Sequence, residues 1–550
     1  MKVKFISSVL LILCAFAAKA VGPWIPDKGD GTYVNPVIFA DYSDPDVVAV
    51  GDDFYMTASS FQCAPGLPIL HSRDLVNWEI VNYALDAVPP VEFYSEAPRH
   101  GKGVWAPSIR YHNGEYYIYW GDPDFGIYMV KTKDPRGKWS EPVLVKSGKG
   151  MIDPVPLWDD DGKVYLAHAW AASRVGFNSI ITVFELNPEG TAPVGDPVMV
   201  FDGNDGINHT IEGPKLYKRN GYYYIFAPAG GVVDGWQLAM RSKNIYGPYE
   251  PKIVMAQGGT DINGPHQGGW VDTKSGESWF VHFQDRGAYG RVIHLNPMTW
   301  VNDWPVIGVD KDGDGCGEPV SRHKKPSIAS PVKSPLAPAT SDEFDNRRLG
   351  LQWEWHANYR DIYGFPTDLG FFRLYGHKLS AESPNYWEVP NMLLQKFPAE
   401  EFTATAKVKI SAKSAGEGTV SGLIVMGWNY SFIGLKKAGD KFELVQGTCI
   451  DAEQGTPQQT EILKVIDPTR IYEAGLHPNY ECDIYLRVTV DKGGVCRFAY
   501  SFDGKRFTDA GTPFTARQGK WIGAKVGMFS TAPDGVDRGW IDIDWFRITK

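Results

Sequence analysis

The sequence predicts an all-β protein, a five-bladed β-propeller followed by a β-sandwich. Short runs of alternating aromatic and β-branched residues, separated by Gly, Asn and Asp, fill the chain, whereas sustained helical periodicity is almost absent. A hairpin pattern recurs five times before residue 300, and a segment rich in Pro, Ala, Ser and Lys at 324–340 reads as a linker to the rest. The length of 550 residues also favours two or more domains.

The recurring pattern is a turn that contains glycine, followed by an aromatic strand. The turn glycines are Gly51, Gly114, Gly162, Gly221 and Gly276, at spacings of 63, 48, 59 and 55 residues. Each spacing suits one four-stranded propeller blade with its loops. The repeat therefore predicts five blades within a domain at 21–323.

Polar residues begin the strand that precedes several of these hairpins. In a propeller the first strand of each blade lines the central axis, so equivalent residues of different blades meet in one pocket. The residues expected to meet are Asp44, Asp153, Glu212 and His266. We therefore predict a pocket with three carboxylates at the hub.

The region 341–550 again consists of alternating strands, for example at 402–410 and 485–490. It contains no repeat, and its length of about 210 residues favours a β-sandwich of the jelly-roll or concanavalin-like kind. This region forms the predicted second domain.

The N-terminus has the pattern of an export signal. A basic start and an apolar run at 5–18 precede an A-K-A cleavage pattern, so residues 1–20 are predicted to be a signal peptide. We expect export to the periplasm or the medium. The alternative is a lipid anchor at Cys14, which Leu13 disfavours because such signals have a small residue there. No later stretch approaches the roughly 18 apolar residues of a membrane helix.

Composition narrows the classes of partner. The net charge of −10 and the pI of about 5.7 argue against nucleic acid and are compatible with a neutral substrate. The 19 Trp and 27 Tyr suit stacking on sugar faces, and equally suit a β-rich core. Five cysteines remain after cleavage, too few for a disulfide scaffold, and one bridge among Cys449, Cys482 and Cys496 is left open.

Two carboxylates in one pocket suit the hydrolysis of a glycosidic bond. Inversion requires an acid and a base roughly 6.5–9.5 Å apart on opposite faces of the sugar. We assign Asp44 as the general base and Glu212 as the general acid, because the apolar neighbours of Glu212 favour its protonated form. The negative charge of Asp153 would raise the pKa of the acid Glu212 further and help hold its orientation. Asp41 and Asp46 flank Asp44 in the sequence. Because side chains alternate along a strand, Asp46 would lie on the same face as Asp44, so mutation is needed to tell which of these residues is the base.

An ordered set of motifs over residues 34–310 resembles glycoside hydrolase family 43, the β-xylosidase and α-L-arabinofuranosidase group. The motifs are Asn35-Pro36-Val37-Ile38, Asp44-Pro45-Asp46, the segment 70–78, Val104-Trp105-Ala106-Pro107-Ser108, Ile152-Asp153-Pro154, Ile211-Glu212-Gly213-Pro214 and Gly290-Arg291. The resemblance implies an inverting mechanism without a cofactor, with Asp44 in the base position, Asp153 in the pKa-modulator position and Glu212 in the acid position. It also places four residues around the terminal sugar: Phe61, Trp105, His266 and Arg291. The alternatives are packing between blades for Trp105 and an ion pair on the surface or in the core for Arg291.

No metal is assigned, although three places are candidates. In some members of the family the residue matching His266 holds a water or a calcium ion at the propeller axis. Asp342, Glu343 and Asp544 offer oxygen ligands for a structural Ca²⁺, or serve as acidic surface turns. The segment 310–315 matches the start of an EF-hand loop but lacks the final Glu and flanking helices, so we expect a tight turn there.

One departure from the family pattern bears on specificity. Xylosidases of this family commonly have an aromatic residue after a Phe-Glu pair, whereas this chain has Phe61-Gln62-Cys63-Ala64-Pro65. The small side chains at Cys63 and Ala64 predict a roomier rim, which favours an exo-acting α-L-arabinofuranosidase on side chains of xyloglucan, arabinoxylan or arabinan.

Other functions compete with this prediction. They are a β-D-xylosidase or bifunctional enzyme, an endo-arabinanase, and an inactive sugar-binding protein. In each case the partner is an oligo- or polysaccharide, and the oligomeric state is left open. The C-terminal domain resembles the sandwich appended to many family members, and it either places a loop at the pocket mouth or only stabilises the propeller.

Overall fold

The computed structural model describes residues 22–328, 332, 335–411, 415–467 and 481–550. The predicted signal peptide and Cys14 lie outside the described residues. Within these ranges no helix is both long and apolar enough to cross a membrane. The helices found there are single turns or little more: α1 (Val91–Glu96), α2 (Ala172–Val175) and α3 (Gly231–Asp234), with 3₁₀ turns at Gly203–Asp205, Gly287–Tyr289 and Ala452–Gln454.

After β1 (Thr32–Val34), five four-stranded antiparallel sheets follow in chain order and form the five blades that the repeat predicts. Blade one contains β2 (Asp46–Val50), β3 (Asp53–Thr57), β4 (Gly66–Ser72) and β5 (Trp78–Leu85). Blade two contains β6 (Trp105–His112), β7 (Glu115–Asp122), β8 (Gly126–Thr132) and β9 (Val143–Ser147). Blade three contains β10 (Met151–Trp158), β11 (Val164–Trp170), β12 (Ile180–Leu186) and β13 (Val198–Asp202).

The last two blades complete the ring. Blade four contains β14 (Lys215–Arg219), β15 (Tyr222–Ala229), β16 (Trp236–Ser242) and β17 (Glu250–Met255). Blade five contains β18 (His266–Asp272), β19 (Ser278–Asp285), β20 (Arg291–Val301) and β21 (Trp304–Ile307). The inner strand β18 contacts β2, which brings the last blade against the first.

The turn glycines of the repeat connect the first strand of each blade to the second. All five have a φ between 67° and 84°, the left-handed region that glycine adopts without a Cβ clash. The second strands that follow, such as β7 and β15, are buried on both faces because each blade packs between two others. The glycines of the sequence repeat therefore reflect the left-handed backbone conformation that each of these turns requires.

The two ends of the propeller domain are tied together by a short sheet. Strand β1 pairs antiparallel with β22 (Arg322–Lys324), with Tyr33 opposite His323. Tyr33 is fully buried, and its hydroxyl donates to the carbonyl of Leu295 at 2.8 Å. The described part of the predicted linker runs back along the propeller, where Leu336 N–H donates to Asn77 Oδ1 at 3.1 Å.

Two packed sheets form the C-terminal β-sandwich. The first contains β23 (Glu354–Trp355), β26 (His377–Leu379), β27 (Leu393–Lys396), β29 (Val420–Met426), β30 (Tyr430–Ala438), β31 (Lys441–Cys449), β32 (Gln459–Ile466) and β36 (Lys525–Pro533). The second contains β24 (Gly364–Pro366), β25 (Phe372–Tyr375), β28 (Phe402–Ser411), β33 (Glu481–Asp491), β34 (Val495–Ser501), β35 (Thr508–Thr515) and β37 (Trp540–Thr549). Their inner faces meet in one apolar core.

The two domains share part of that core. Phe39, Tyr289 and Val292 of the propeller domain pack into the sandwich cluster. The Tyr289 hydroxyl donates to the carbonyl of Glu400 at 2.9 Å and accepts the backbone N–H of Gly494 at 2.9 Å. The sandwich is therefore packed against the propeller rather than carried on a free tether.

The cysteines of the described residues form no bridge with one another. Cys63, Cys316, Cys449 and Cys496 are free thiols, so the bridge left open by the sequence does not join Cys449 to Cys496. The side chain of Cys482 lies outside the described residues.

Candidate active site

Three carboxylates from three blades come together at one end of the propeller. Asp44 precedes β2, Asp153 is the third residue of β10, and Glu212 lies three residues before β14. The negative charges of Glu212 and Asp44 both raise the pKa of Asp153, after the larger effect of burial. The structure thus brings together the carboxylates that the propeller argument places at the hub.

Backbone irregularities at the same end direct these side chains. The pairing of the inner strands shifts between Trp105 and Ser108 in β6, and between His266 and Gly268 in β18. It also shifts at Asp153, next to Pro154 in β10. A bulge re-aims the side chain that it carries, and proline fits there because it has no N–H to donate.

Asp44 is buried and held by three donors. The hydroxyls of Ser43 and Ser59 donate to Oδ2 at 2.8 and 2.6 Å, and Arg291 Nη1 donates to Oδ1 at 3.1 Å. Its φ is 55°, a left-handed conformation that is uncommon for a residue with a Cβ. The carboxylate is therefore fixed in one orientation beside a guanidinium.

Asp153 is tied to the peptide that follows Glu212. Its Oδ2 accepts the backbone N–H of Gly213 at 2.7 Å. Burial raises the pKa of Asp153 well above its ordinary range, and the nearby charge of Lys215 and this N–H oppose the rise. The contact gives Asp153 a direct means of orienting Glu212.

Glu212 reaches into open space, unlike the two aspartates. Its side chain is 36% exposed, and its Oε1 lies 2.9 Å from Nε2 of His266. His266 is fully buried, and among the described residues its Nδ1 has no hydrogen-bond partner. His266 thus faces the carboxyl group of Glu212, and no cluster of potential metal ligands within the described ranges includes it.

The rings of Phe61, Trp105 and Trp521 lie side by side and form an aromatic wall. Phe61 pairs through its backbone with Val104 (3.0 Å in both directions), and its ring meets that of Trp105 edge-on at 6.4 Å. Trp521, from the loop before β36, meets Trp105 edge-on at 6.1 Å and is 48% exposed. The most exposed ring of this wall therefore comes from the C-terminal domain.

Arg291 begins β20 and points at Asp44. Its Nη1 donates to Ser43 Oγ at 2.6 Å as well as to Asp44, and its guanidinium lies 4.7 Å from the centre of the Phe283 ring. Its backbone N–H donates to Asp41 Oδ1 at 2.8 Å. The side chain is thus held at the hub rather than on the surface.

The structure separates Asp44 from its acidic neighbours. Asp46 accepts Arg110 Nη1 at 2.6 Å and the backbone N–H of Ile109 at 2.9 Å. Asp41 accepts two backbone N–H groups. Within the described residues, Asp44 accepts a hydrogen bond from the guanidinium of Arg291, whereas Asp41 and Asp46 do not.

The prediction of a roomier rim at Cys63 and Ala64 is wrong. Both residues are fully buried, because the sandwich covers them. Ala64 exchanges backbone hydrogen bonds with Trp355 at 3.2 and 2.7 Å, and Cys63 Sγ lies 3.0 Å from Lys525 Nζ. The small side chains leave space that the second domain fills.

The proposed calcium ligands of the sandwich serve separate contacts. Asp342 accepts hydrogen bonds from its own loop, including Trp353 Nε1 at 2.9 Å. Glu343 pairs with Arg547 and Asp544 pairs with Lys407, both at 2.7 Å. These three carboxylates therefore do not converge on one calcium site.

Within the described ranges Asp310, Asp312 and Asp314 do lie close together. Asp310 accepts N–H groups of its own tight turn, as expected from the sequence.

Comparison with known proteins identifies the family. A model of glycosyl hydrolases family 43 matches residues 33–305, and a relative from Xylanibacter ruminicola is 37% identical over 92% of this chain and 87% of its own length. The chain belongs to glycosyl hydrolase family 43. A model of the β-xylosidase C-terminal concanavalin A-like domain matches residues 341–549 of this family 43 chain.

Two further relatives of this family 43 chain match nearly their whole length. A β-xylosidase from Formosa agariphila is 33% identical over 96% of this chain and 92% of its own. A non-reducing end α-L-arabinofuranosidase from Bacteroides ovatus is 28% identical over 97% and 98%. This chain is therefore a glycoside hydrolase that acts on carbohydrate.

Two residues of this family 43 enzyme interact with predicted site residues although the sequence did not single them out. Trp521 stands between Gly519 and Gly523, far along the chain, and no local pattern marked it. Lys215 begins β14, is fully buried, and donates to the carbonyl of Pro107 at 3.5 Å. Burial lowers the pKa of Lys215, while the charges of Asp46, Asp153 and Asp44 raise it. A lysine directly after the Glu212-Gly213-Pro214 motif, at the start of a strand predicted to line the axis, was the available signal.

Proposed function

We propose that this enzyme is an exo-acting, inverting β-D-xylosidase that releases terminal xylosyl residues from oligosaccharides of xylan, with α-L-arabinofuranosidase as the second candidate activity. The observation that carries the proposal is the contrast between two hub carboxyl groups. Asp44 is buried and bound by Arg291, whereas Glu212 is partly exposed and, among the described residues, its carboxyl group is bound at one oxygen by His266.

The proposed chemistry assigns one proton transfer to each group. Asp44 takes a proton from the water that attacks the anomeric carbon, and its hydrogen bonds to serine and arginine keep it aimed at that water. Glu212 gives a proton to the departing glycosidic oxygen. Asp153 orients Glu212 through the Gly213 N–H. Because water and sugar both sit between acid and base, the configuration at the anomeric carbon inverts.

Arg291 and the aromatic wall hold the terminal sugar in this proposal. The guanidinium donates to sugar hydroxyls, while Phe61 and Trp105 cover an apolar face of the ring. Trp521 stands against Trp105 at the outer end of the wall. A wall closed by the second domain favours removal of one terminal residue and disfavours an open groove for internal cleavage.

The choice of xylose over arabinose rests on two points. The β-xylosidase relative is more similar than the arabinofuranosidase relative, at 33% against 28% identity with near-complete coverage of both chains. The sequence favours arabinose because the small side chains of Cys63 and Ala64 predict an open rim. In the structure the sandwich fills that space, so this argument for arabinose no longer holds. The arabinofuranosidase relative keeps the second activity as a candidate.

The deciding experiment compares turnover of 4-nitrophenyl β-D-xyloside and 4-nitrophenyl α-L-arabinofuranoside, and follows xylotriose hydrolysis by NMR. We expect faster turnover of the xyloside, release of xylose alone, and α-xylose as the first anomer formed. Glu212→Gln should lower kcat on xylotriose about 10²–10⁴-fold, because its leaving group needs a proton. Faster arabinoside turnover would favour the second candidate, and no turnover of either would favour a sugar-binding protein.

We also propose that the enzyme is exported, with residues 1–20 removed, to the periplasm or the medium. The support is the basic and apolar pattern followed by A-K-A. Sequencing the N-terminus of the mature protein tests this, and a start near Val21 is expected. A lipid-modified Cys14 at the N-terminus would contradict it.

A further inference from the structure

One buried carboxylate, that of Asp41, joins Arg291 to the C-terminal domain. Its Oδ1 accepts the backbone N–H of Arg291 at 2.8 Å, and its Oδ2 accepts the backbone N–H of Gly523 at 2.9 Å. Arg291 begins β20 of blade five, while Gly523 lies in the loop before β36 of the sandwich. The side chain of Asp41 thus hydrogen-bonds to the backbones of both domains, and one of these contacts is at Arg291, the arginine that binds Asp44.

The segments around this carboxylate leave no free space. A methyl group added at Gly290 would lie 2.5 Å from Asp41 Cγ, and one added at Gly523 would lie 2.8 Å from the backbone nitrogen of Gly290. Next to them, Ala524 N–H donates to the carbonyl of Ala288 at 2.7 Å. A shift of the sandwich loop therefore moves the peptide that precedes β20.

Cations from both domains surround Asp41. Burial raises the pKa of Asp41, whereas the charges of Lys396 and Arg291 and the two N–H donors lower it. Lys396 also binds Glu354, which accepts Lys525 Nζ at 2.5 Å. Burying a carboxylate is costly unless donors satisfy it, so its placement between two backbones requires that both contacts stay formed.

We propose that Asp41 is a positioning residue for Arg291, through which the C-terminal domain shapes the subsite for the terminal sugar. The inference rests on the proposed function, in which Arg291 binds that sugar. Asp41 fixes the backbone from which the Arg291 side chain extends to Ser43 and Asp44. Without it, the guanidinium loses the sub-ångström placement that tight binding of sugar hydroxyls requires.

The test measures inhibition constants for D-xylose and L-arabinose, together with KM and kcat, in matched variants of the full chain. Asp41→Asn keeps the shape but turns one acceptor oxygen into a donor, so one of the two contacts is lost. Gly523→Ala disturbs the same contact from the sandwich side. We expect the inhibition constant for the preferred pentose to rise about tenfold in Asp41→Asn and several-fold in Gly523→Ala, with a matching rise in KM.

Glu400→Gln is the matched control. Glu400 pairs with Arg286 at 3.2 Å across the same interface and touches neither Asp41 nor Arg291 through its side chain. Its inhibition constants should stay within about twofold of wild type. Arg291→Ala measures the full contribution of the arginine.

The outcomes separate this inference from the function on which it rests. If Arg291→Ala weakens pentose binding while Asp41→Asn and Gly523→Ala both keep it within about twofold, the inference is overturned and the function stands. If Arg291→Ala binds pentose as wild type does, the proposed role of Arg291 is wrong. Should Asp41→Asn fail to fold, Gly523→Ala decides the question.

Discussion

The hub of the propeller and the core of the sandwich both contain buried side chains, but of opposite kinds. Around the hub lie five charged residues, each less than a tenth exposed: Asp44, Asp46, Asp153, Lys215 and Arg291. The sandwich core consists of alternating apolar residues, of which Leu423, Val425, Leu486 and Val488 are fully buried. One buried region is therefore arranged for chemistry and the other for stability.

The hub also contains residues with an uncommon backbone conformation. At the hub, Asp44, Phe61 and Asp153 have φ values of 55°, 51° and 58°, and the buried Nδ1 of His266 has no partner among the described residues. Each of the three left-handed conformations costs about 1–3 kcal/mol. A fully buried leucine of the sandwich instead contributes about 1.5–3 kcal/mol. The burial of apolar side chains offsets the cost of these hub conformations.

The largest expected effect is at the hub. Asp44→Asn should lower kcat by about 10³-fold or more, because the attacking water loses its base, while unfolding temperature changes little. Steady-state kinetics and calorimetry on the same preparation check both parts. If Asp44→Asn unfolds the protein instead of inactivating it, the assignment of the hub to chemistry rather than to stability is wrong.

A core substitution should show the reverse pattern. Leu486→Ala is expected to lower the free energy of unfolding by about 2–5 kcal/mol, since it leaves a cavity between the sheets. The folded fraction should keep kcat near that of wild type. Denaturant unfolding monitored by fluorescence gives the first quantity, and kinetics below the transition give the second. A large loss of kcat at full folding would show that the sandwich core acts on the hub.

Acid should destabilise the propeller through its buried histidines. Burial lowers the pKa of His168 and His282 to about 4, below the unfolded value of 6.5. The stability from each neutral ring is complete above pH 6.5 and is lost as pH falls towards 4, on the order of 3 kcal/mol per group. Calorimetry at pH 7, 5.5 and 4.5 measures the loss, and His168→Phe should reduce its slope. An unchanged slope in that variant would rule His168 out as a source.

The smallest expected effect concerns the cation beneath the hub carboxylates. Lys215→Met should lower kcat about tenfold and move the acid limb of the pH–rate profile to higher pH, because the positive charge of Lys215 lowers the pKa of Asp153. Lys215→Arg, which keeps the charge, should retain the position of that limb. Equal profiles for both variants would mean that shape rather than charge matters at this position.

Features with a local cause were predictable from the sequence. The blade count follows from turn glycines that require a left-handed backbone, and each of them lies within a few residues of the strands it connects. Asp44, Asp153 and Glu212 could be placed together because repetition gives equivalent positions to residues far apart in the chain. The short apolar alternation of 402–410 likewise indicated a half-buried strand without knowledge of its partner.

Only the tertiary structure decided how the domains meet. The small residues Cys63 and Ala64 have the same local pattern whether solvent or Trp355 covers them, so the expected open rim could not be tested from the sequence. The same holds for Trp521 at Trp105 and for Asp41 between Arg291 and Gly523, which join segments hundreds of residues apart. Local patterns specify strands and turns, whereas contacts between domains depend on how two finished surfaces pack.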